Sequence, residues 1–217
     1  MMSSTTDWFN LPFELKFKIL DRVGRRDILV NAQNVCTDWY KVFKDPLMWR
    51  SINLSRFSLY DDSPPNIAKH AVDRSQGQLV NVVISTFKII ELLRYVADRS
   101  SQLRRLEVLF MFGEYVNKAL AEALVKFPLL EVLVVSTKYF SSTVIKNAGR
   151  YCPSLQKLVV NRTFYVSKSR VRLNNRIAIA IGENLHELRH LKLECNGISN
   201  IGLKVVMDGC RHLKSLK

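Results

Sequence analysis

The chain has 217 residues, of which 47% are hydrophobic, and 33 Lys/Arg against 19 Asp/Glu give a formal charge of +14. This is enough to bury a sizeable core in one or two domains. No apolar run approaches the roughly 20 residues that span a bilayer, and Met1 to Asn10 has neither a basic nor an apolar leader region, so an intracellular protein without a membrane partner is expected, in the nucleus or cytoplasm.

The first elements fall between Trp8 and Leu54. Pro12 suits the first position of a helix, having no N–H to donate and a φ already helical. Leu15, Ile19, Leu20 and Val23 follow on one face at 3.6-residue spacing, and Gly24 is expected to end the helix with φ > 0. Asp27 is expected to cap a second helix through Ile28, Leu29, Ala32 and Val35. An apolar stripe of Cys36, Trp39, Val42 and Phe43 then leads to Asp45-Pro46, a second cap-plus-proline start, and Trp49 and Ile52 close the unit. So short a bundle holds more apolar residues than it can bury, so packing onto another surface is expected.

Leu11-Pro12-x-Glu14-Leu15-x-x-x-Ile19-Leu20, Asp27-Ile28-Leu29, Val35-Cys36-x-x-Trp39 and Asp45-Pro46-x-x-Trp49-Arg50 together resemble the F-box. The resemblance implies docking onto the Skp-type adaptor of a cullin-based ubiquitin ligase, through Leu11, Pro12, Leu15, Ile19, Val35 and Trp39. Core and contact roles are expected to mix among these six.

Beyond the Asp61-Asp62-Ser63-Pro64-Pro65 breaker a pattern recurs: Leu79-x-x-Val82-x-Ile84, Leu103-x-x-Leu106-x-Val108, Leu130-x-x-Leu133-x-Val135, Leu155-x-x-Leu158-x-Val160 and Leu188-x-x-Leu191-x-Leu193, with a sixth beginning at Leu213 and Leu216. The leading leucines are 24, 27, 25, 33 and 25 residues apart, within or near the leucine-rich range, with one repeat enlarged. Asp73-Arg74-Ser75 returns as Asp98-Arg99-Ser100, a second sign of duplication. Each repeat reads as a period-2 strand and then a helix, as in Ala119, Leu120, Ala123, Leu124 and Phe127. Such a unit cannot bury its apolar face alone, so a curved solenoid with parallel strands on its concave side is expected.

With Cys152-Pro153-x-Leu155-x-x-Leu158, and Leu188-x-x-Leu191-x-Leu193 followed by Asn196, Ile198 and Gly202-Leu203, this region resembles the cysteine-containing leucine-rich repeats of plant F-box/LRR-repeat proteins. The expected class is therefore α/β: a three-helix F-box module over 8–54, a connector and the start of the first repeat over 55–76, and about five repeats plus a partial sixth over 77–217. The chain stops at Lys217 inside a predicted strand, so the solenoid reads as C-terminally short, with its last apolar surface in need of a cap.

No metal, cofactor or active site is expected. Cys36, Cys152, Cys195 and Cys210 show no Cys-x-x-Cys or metal-ligand spacing, and the repeat register makes Cys152 and Cys210 core positions. His186-Glu187-Leu188-Arg189-His190 matches the His-Glu-x-x-His of zinc proteases, but Leu188, Leu191 and Leu193 are in register with the repeat strands. The two histidines therefore straddle a loop-to-strand junction rather than one helical face.

The charge is uneven. Residues 61–217 hold 24 Lys/Arg against 13 Asp/Glu, and no acid occurs between Glu131 and Glu183. The extra length of the enlarged repeat reads as a loop over Arg162 to Arg176, where Phe164 and Tyr165 beside Lys168, Arg170, Arg172 and Arg176 suit an acidic or phosphorylated client. The resemblance implies a non-catalytic substrate receptor of a Skp-cullin-F-box ligase. Two alternatives stay open: a basic solenoid binding nucleic acid or another anionic ligand, for which nucleic acid is the less expected partner, and a shortened relative without a client.

Overall fold

A computed structural model describes residues 8–54, 67–85, 88–111, 114–137, 140–162, 171–194 and 198–217. The 61–65 breaker lies outside them, as do Cys195, Asn196, Phe164, Tyr165, Lys168 and Arg170.

The chain begins with short helical pieces: α1 (Phe13–Leu20), α2 (Arg25–Val30) and α3 (Thr37–Lys44), linked by 3-10 turns at Trp8–Asn10, Ala32–Asn34 and Pro46–Trp49. Asp45 caps as expected, its Oδ1 accepting the Leu47 N–H at 2.9 Å ahead of Pro46. Three other expectations are corrected. Pro12 is the residue before α1 rather than its first member. Gly24 has φ −59° and ψ 135°, which any residue adopts, and it begins α2 instead of ending α1, which stops at Leu20. Asp27 lies inside α2 and not at its cap. In helices of eight residues or fewer, packing rather than cap chemistry decides the ends.

From Ser51 the chain becomes a solenoid. Strands β1 (Ser51–Asn53), β2 (Asn81–Ile84), β3 (Arg105–Met111), β4 (Val132–Thr137), β5 (Lys157–Arg162), β6 (His190–Leu193) and β7 (Ser215–Leu216) form one parallel sheet in sequence order. Helices α4 (Ile67–Arg74), α5 (Ile89–Arg99), α6 (Glu114–Leu124), α7 (Ser142–Tyr151), α8 (Val171–Asn184) and α9 (Asn200–Gly209) return the chain between strands. Parallel neighbours require such crossovers, and consecutive helices stack on one another in a second layer.

The repeat motif sets the register. Val82, Leu106, Leu133, Leu158, Leu191 and Leu216 are successive Cα partners, and Ile84, Val108, Val135, Val160 and Leu193 form the next row inward. From Val82 to Leu193 both rows are buried, as are the leading leucines 79, 103, 130, 155 and 188. Ahead of each strand one carbonyl receives two N–H groups from the following coil: Val80 from Arg104 and Arg105, Arg104 from Glu131 and Val132, Gln156 from Arg189 and His190. The coil repeat therefore satisfies its own turn backbone, as a buried turn requires.

Cys152 and Cys210 end α7 and α9, and their thiols donate to the carbonyls of Leu124 and Ile181 on the preceding helices, at 3.5 and 3.9 Å. Burial pushes these thiols up to about 12 and about 11. Helices α8 and α9 approach closely at two glycines: a Cβ on Gly209 would lie 1.9 Å from the Gly182 carbonyl oxygen.

Two features differ from the repeat expectation. Strand β1 lies within the segment read as the helical module, and its Ile52 pairs with Val82, so the first coil of the sheet is already laid down before the connector. The enlarged repeat is not all loop: α8 starts at Val171 and runs for 14 residues, against 10 for α7, so Arg172 and Arg176 are helical.

Arg74, at the end of α4, joins the module to the sheet. Its guanidinium donates to the Phe43 carbonyl at 3.2 Å and the Gln33 Oε1 at 2.7 Å, and it lies 5.5 Å from the Trp49 ring centroid. The Trp49 indole N–H donates to the same Phe43 carbonyl at 2.8 Å. A charged group shared among the end of α3, the Ala32–Asn34 turn and an aromatic face ties α4 to the module.

Candidate functional site

The helical module is inside out along α1. An isolated amphipathic helix would bury its apolar face, yet Leu15 is 46% and Ile19 48% exposed, while Lys16 is 7% exposed. Only Leu20 of the expected apolar face is fully buried, and Val23 packs partly against the core. Lys16 is tolerated inside because its Nζ pairs with Asp38 of α3 at 2.8 Å. That bond holds the Asp38 carboxyl below its ordinary value. The module's own core is filled by Leu20, Ile28, Val42, Phe43, Met48 and Trp49.

The six residues assigned to adaptor contact divide in two. Pro12, Leu15, Ile19 and Val35 are exposed, Val35 at 62%, and Leu15 and Ile19 share a helix side at i, i+4. Leu11 and Trp39 are half-buried. Trp39 stands 5.6 Å from Trp8 and edge-on to Phe43 at 6.1 Å, so it braces the surface more than it presents it. Phe13 and Leu47 are exposed apolar residues of the same module that the sequence reading did not select. Leucine-sized side chains in water at this density mark a contact surface.

On the repeats, alternate strand residues face away from the helices and make an open sheet face. One row across it reads Asn81, Arg105, Val132, Lys157, His190, Ser215, and the next Val83, Glu107, Val134, Val159, Lys192. Arg105 donates to Glu107 at 2.7 Å, and Lys192 lies 2.6 Å from Glu194. Of the client candidates, Arg176 is exposed on α8, and Arg172 is in the same helix. Phe164, Tyr165, Lys168 and Arg170 fall outside the described residues. Among the described residues, the cations of the acid-free stretch are divided among β5, α7 and α8.

His186 sits in a turn, its Nδ1 3.1 Å from the Gly209 carbonyl, and His190 opens β6 with its Nδ1 2.9 Å from the Ser215 hydroxyl. They are therefore not two ligands on one helical face. Among the described residues no group of three His, Cys, Asp or Glu is placed to hold a metal, and no helix is long and apolar enough to cross a membrane.

Residues 8–55 match the model of the F-box-like family. The whole chain is similar to Arabidopsis thaliana proteins: 40% identical to F-box protein SKIP19 over 99% of this chain and 70% of that protein, and 38% identical to F-box/LRR-repeat protein 9 over 97% and 86%. It is also 40% identical to F-box/LRR-repeat protein 23, of which it spans about half the length, 47%.

Proposed function

This chain belongs to the F-box/LRR-repeat family of plant proteins, and from that premise we propose that it is a substrate-receptor subunit of a Skp-cullin-F-box ubiquitin ligase. The observation that carries the reading is the inverted α1, where Leu15 and Ile19 face water and a lysine is buried instead. In this reading the Skp-type adaptor covers Leu11, Pro12, Leu15, Ile19 and Val35, with Trp39 as their support, and links the chain to a cullin. The receptor performs no chemistry of its own: it holds a client beside the ligase, and proximity does the rest. Rigid coupling through Arg74 favours this role, because the client surface keeps one orientation relative to the adaptor.

The client is held by the repeats, with the enlarged repeat's Phe164, Tyr165, Lys168, Arg170, Arg172 and Arg176 contributing contacts to an acidic or phosphorylated segment. The test is affinity capture of the tagged protein from plant tissue under proteasome inhibition. Adaptor and cullin are expected in stoichiometric amounts together with a client that accumulates. Capture of nucleic acid with neither adaptor nor cullin would replace this reading with that of a basic anion-binding solenoid.

A further inference from the structure

The open face of the sheet changes character from one end to the other. In its middle Val132, Val134 and Val159 lie side by side on β4 and β5, partly or fully screened from water. Toward its last strands the same rows turn basic. Lys157, Val159, His190, Lys192, Ser215 and Lys217 line a depression of about 200 Å³ that reaches the β6 backbone at Leu191, whose side chain is in the core. Lys192 is paired with Glu194, and His190 with the Ser215 hydroxyl. Among the described residues no carboxylate side chain pairs with Lys157 or Lys217, and both are exposed. The ammonium groups of Lys157 and Lys217 and an imidazole beside Val132, Val134 and Val159 form a surface that is complementary to a segment of the opposite sign with an apolar anchor.

We propose that this surface binds an extended acidic segment of the client, laid across β4 to β7, with one apolar side chain on Val132, Val134 and Val159 and carboxylates over Lys157, His190 and Lys217. The proposal rests on the receptor reading, and names the chemistry of what is received. Strand spacing fixes the pattern. Neighbouring strands are about 4.8 Å apart, so β4 to β7 spans about 14 Å, the reach of roughly four extended residues. Alternate side chains of an extended segment face the same way. The segment should therefore carry an apolar residue followed by acids two and four positions later. Glu107 and Glu194, at the borders of the patch, disfavour longer acidic runs by like-charge repulsion.

The test uses the full chain bound to its Skp-type adaptor and a fluorescent ten-residue peptide with Leu followed by Glu at the second and fourth positions after it. Three partners are compared: the peptide itself, its Gln analogue and its phosphoserine analogue. The Glu peptide is expected to bind at least tenfold tighter than the Gln peptide. The double variant Lys157→Glu with Lys217→Glu is expected to lose tenfold or more, while Lys118→Glu with Lys146→Glu, an equal charge change on exposed helix positions, loses less than threefold. If the first pair impairs folding, Lys157→Gln with Lys217→Gln replaces it and should still lose about threefold. Equal losses in the two pairs, equal binding of the Gln peptide, or binding of the phosphoserine peptide alone would overturn the proposal. Absence of peptide binding by a complex that retains its adaptor would overturn it and leave the receptor reading intact, whereas failure to bind the adaptor at all would sink that reading instead.

Discussion

Helix α1 of the module and the middle strands of the repeats treat their apolar motif residues differently. In the repeats, Leu106, Leu133, Leu158 and Leu191 stand at the positions the motif gives them, and all are buried. In the module, Leu15, Ile19 and Val35 stand at motif positions and are not. The fold of this chain accounts for those four repeat leucines and for Leu20, Ile28 and Trp49 of the module's motif, whereas it leaves Leu15, Ile19 and Val35 in water.

The contrast can be broken by mutation. Leu133→Ala removes a fully buried side chain and should cost about 2–5 kcal/mol in denaturant unfolding, whereas Leu15→Ala should cost less than about 1 kcal/mol because its side chain is already half in water. Similar losses for the two would mean that α1 is covered by the chain itself. A smaller effect tests whether the two regions move as one. Arg74→Leu strips donors from the Phe43 carbonyl and from Gln33, and should cost about 1–3 kcal/mol, with the module melting ahead of the repeats in a second calorimetric transition. A single unshifted transition would show that the junction does not depend on Arg74. The smallest effect concerns the ion pair under α1. The folded pKa of Asp38 lies below its ordinary 3.8, first through its hydrogen bond to Lys16. The pair's contribution is therefore complete above about pH 4 and is lost as pH falls through the lowered folded value. Lys16→Met should flatten the fall in melting temperature over that acid range, and an unchanged acid slope would count against the pair.

Much of the fold was legible in the sequence, because a strand buried on one side and repeated at each coil leaves a period that chance rarely copies. The leading leucines, the strand register and the core role of Cys152 and Cys210 all followed from it. Strand β1 was missed because Ser51-Ile52-Asn53 carries no leucine motif and gains its place only by pairing with β2. The ends of α1 and α2 were missed because Gly24 and Asp27 carry turn chemistry that tertiary packing overrode. Burial of Lys16 could not be read from a residue type that is ordinarily exposed, since only Asp38 across the interface makes it tolerable. On the repeats, cations were sought in the extra length of the enlarged repeat, Arg162 to Arg176, whereas the structure aligns Lys157 with His190, and Val159 with Lys192, across the open face. The signal was present in the motif, where the residue before the second leucine and the residue after it face away from the core.

In the receptor reading an adaptor covers the start of the module, Leu11 and Pro12 included. The most direct test is the affinity of purified Skp-type adaptor for the parent chain and for Leu11→Ala with Pro12→Ala, measured by calorimetry beside a helicity spectrum. Unchanged helicity is expected, with binding weakened by about 2–4 kcal/mol, the loss typical of interface anchors. Equal affinity of the two proteins for the adaptor would contradict that reading.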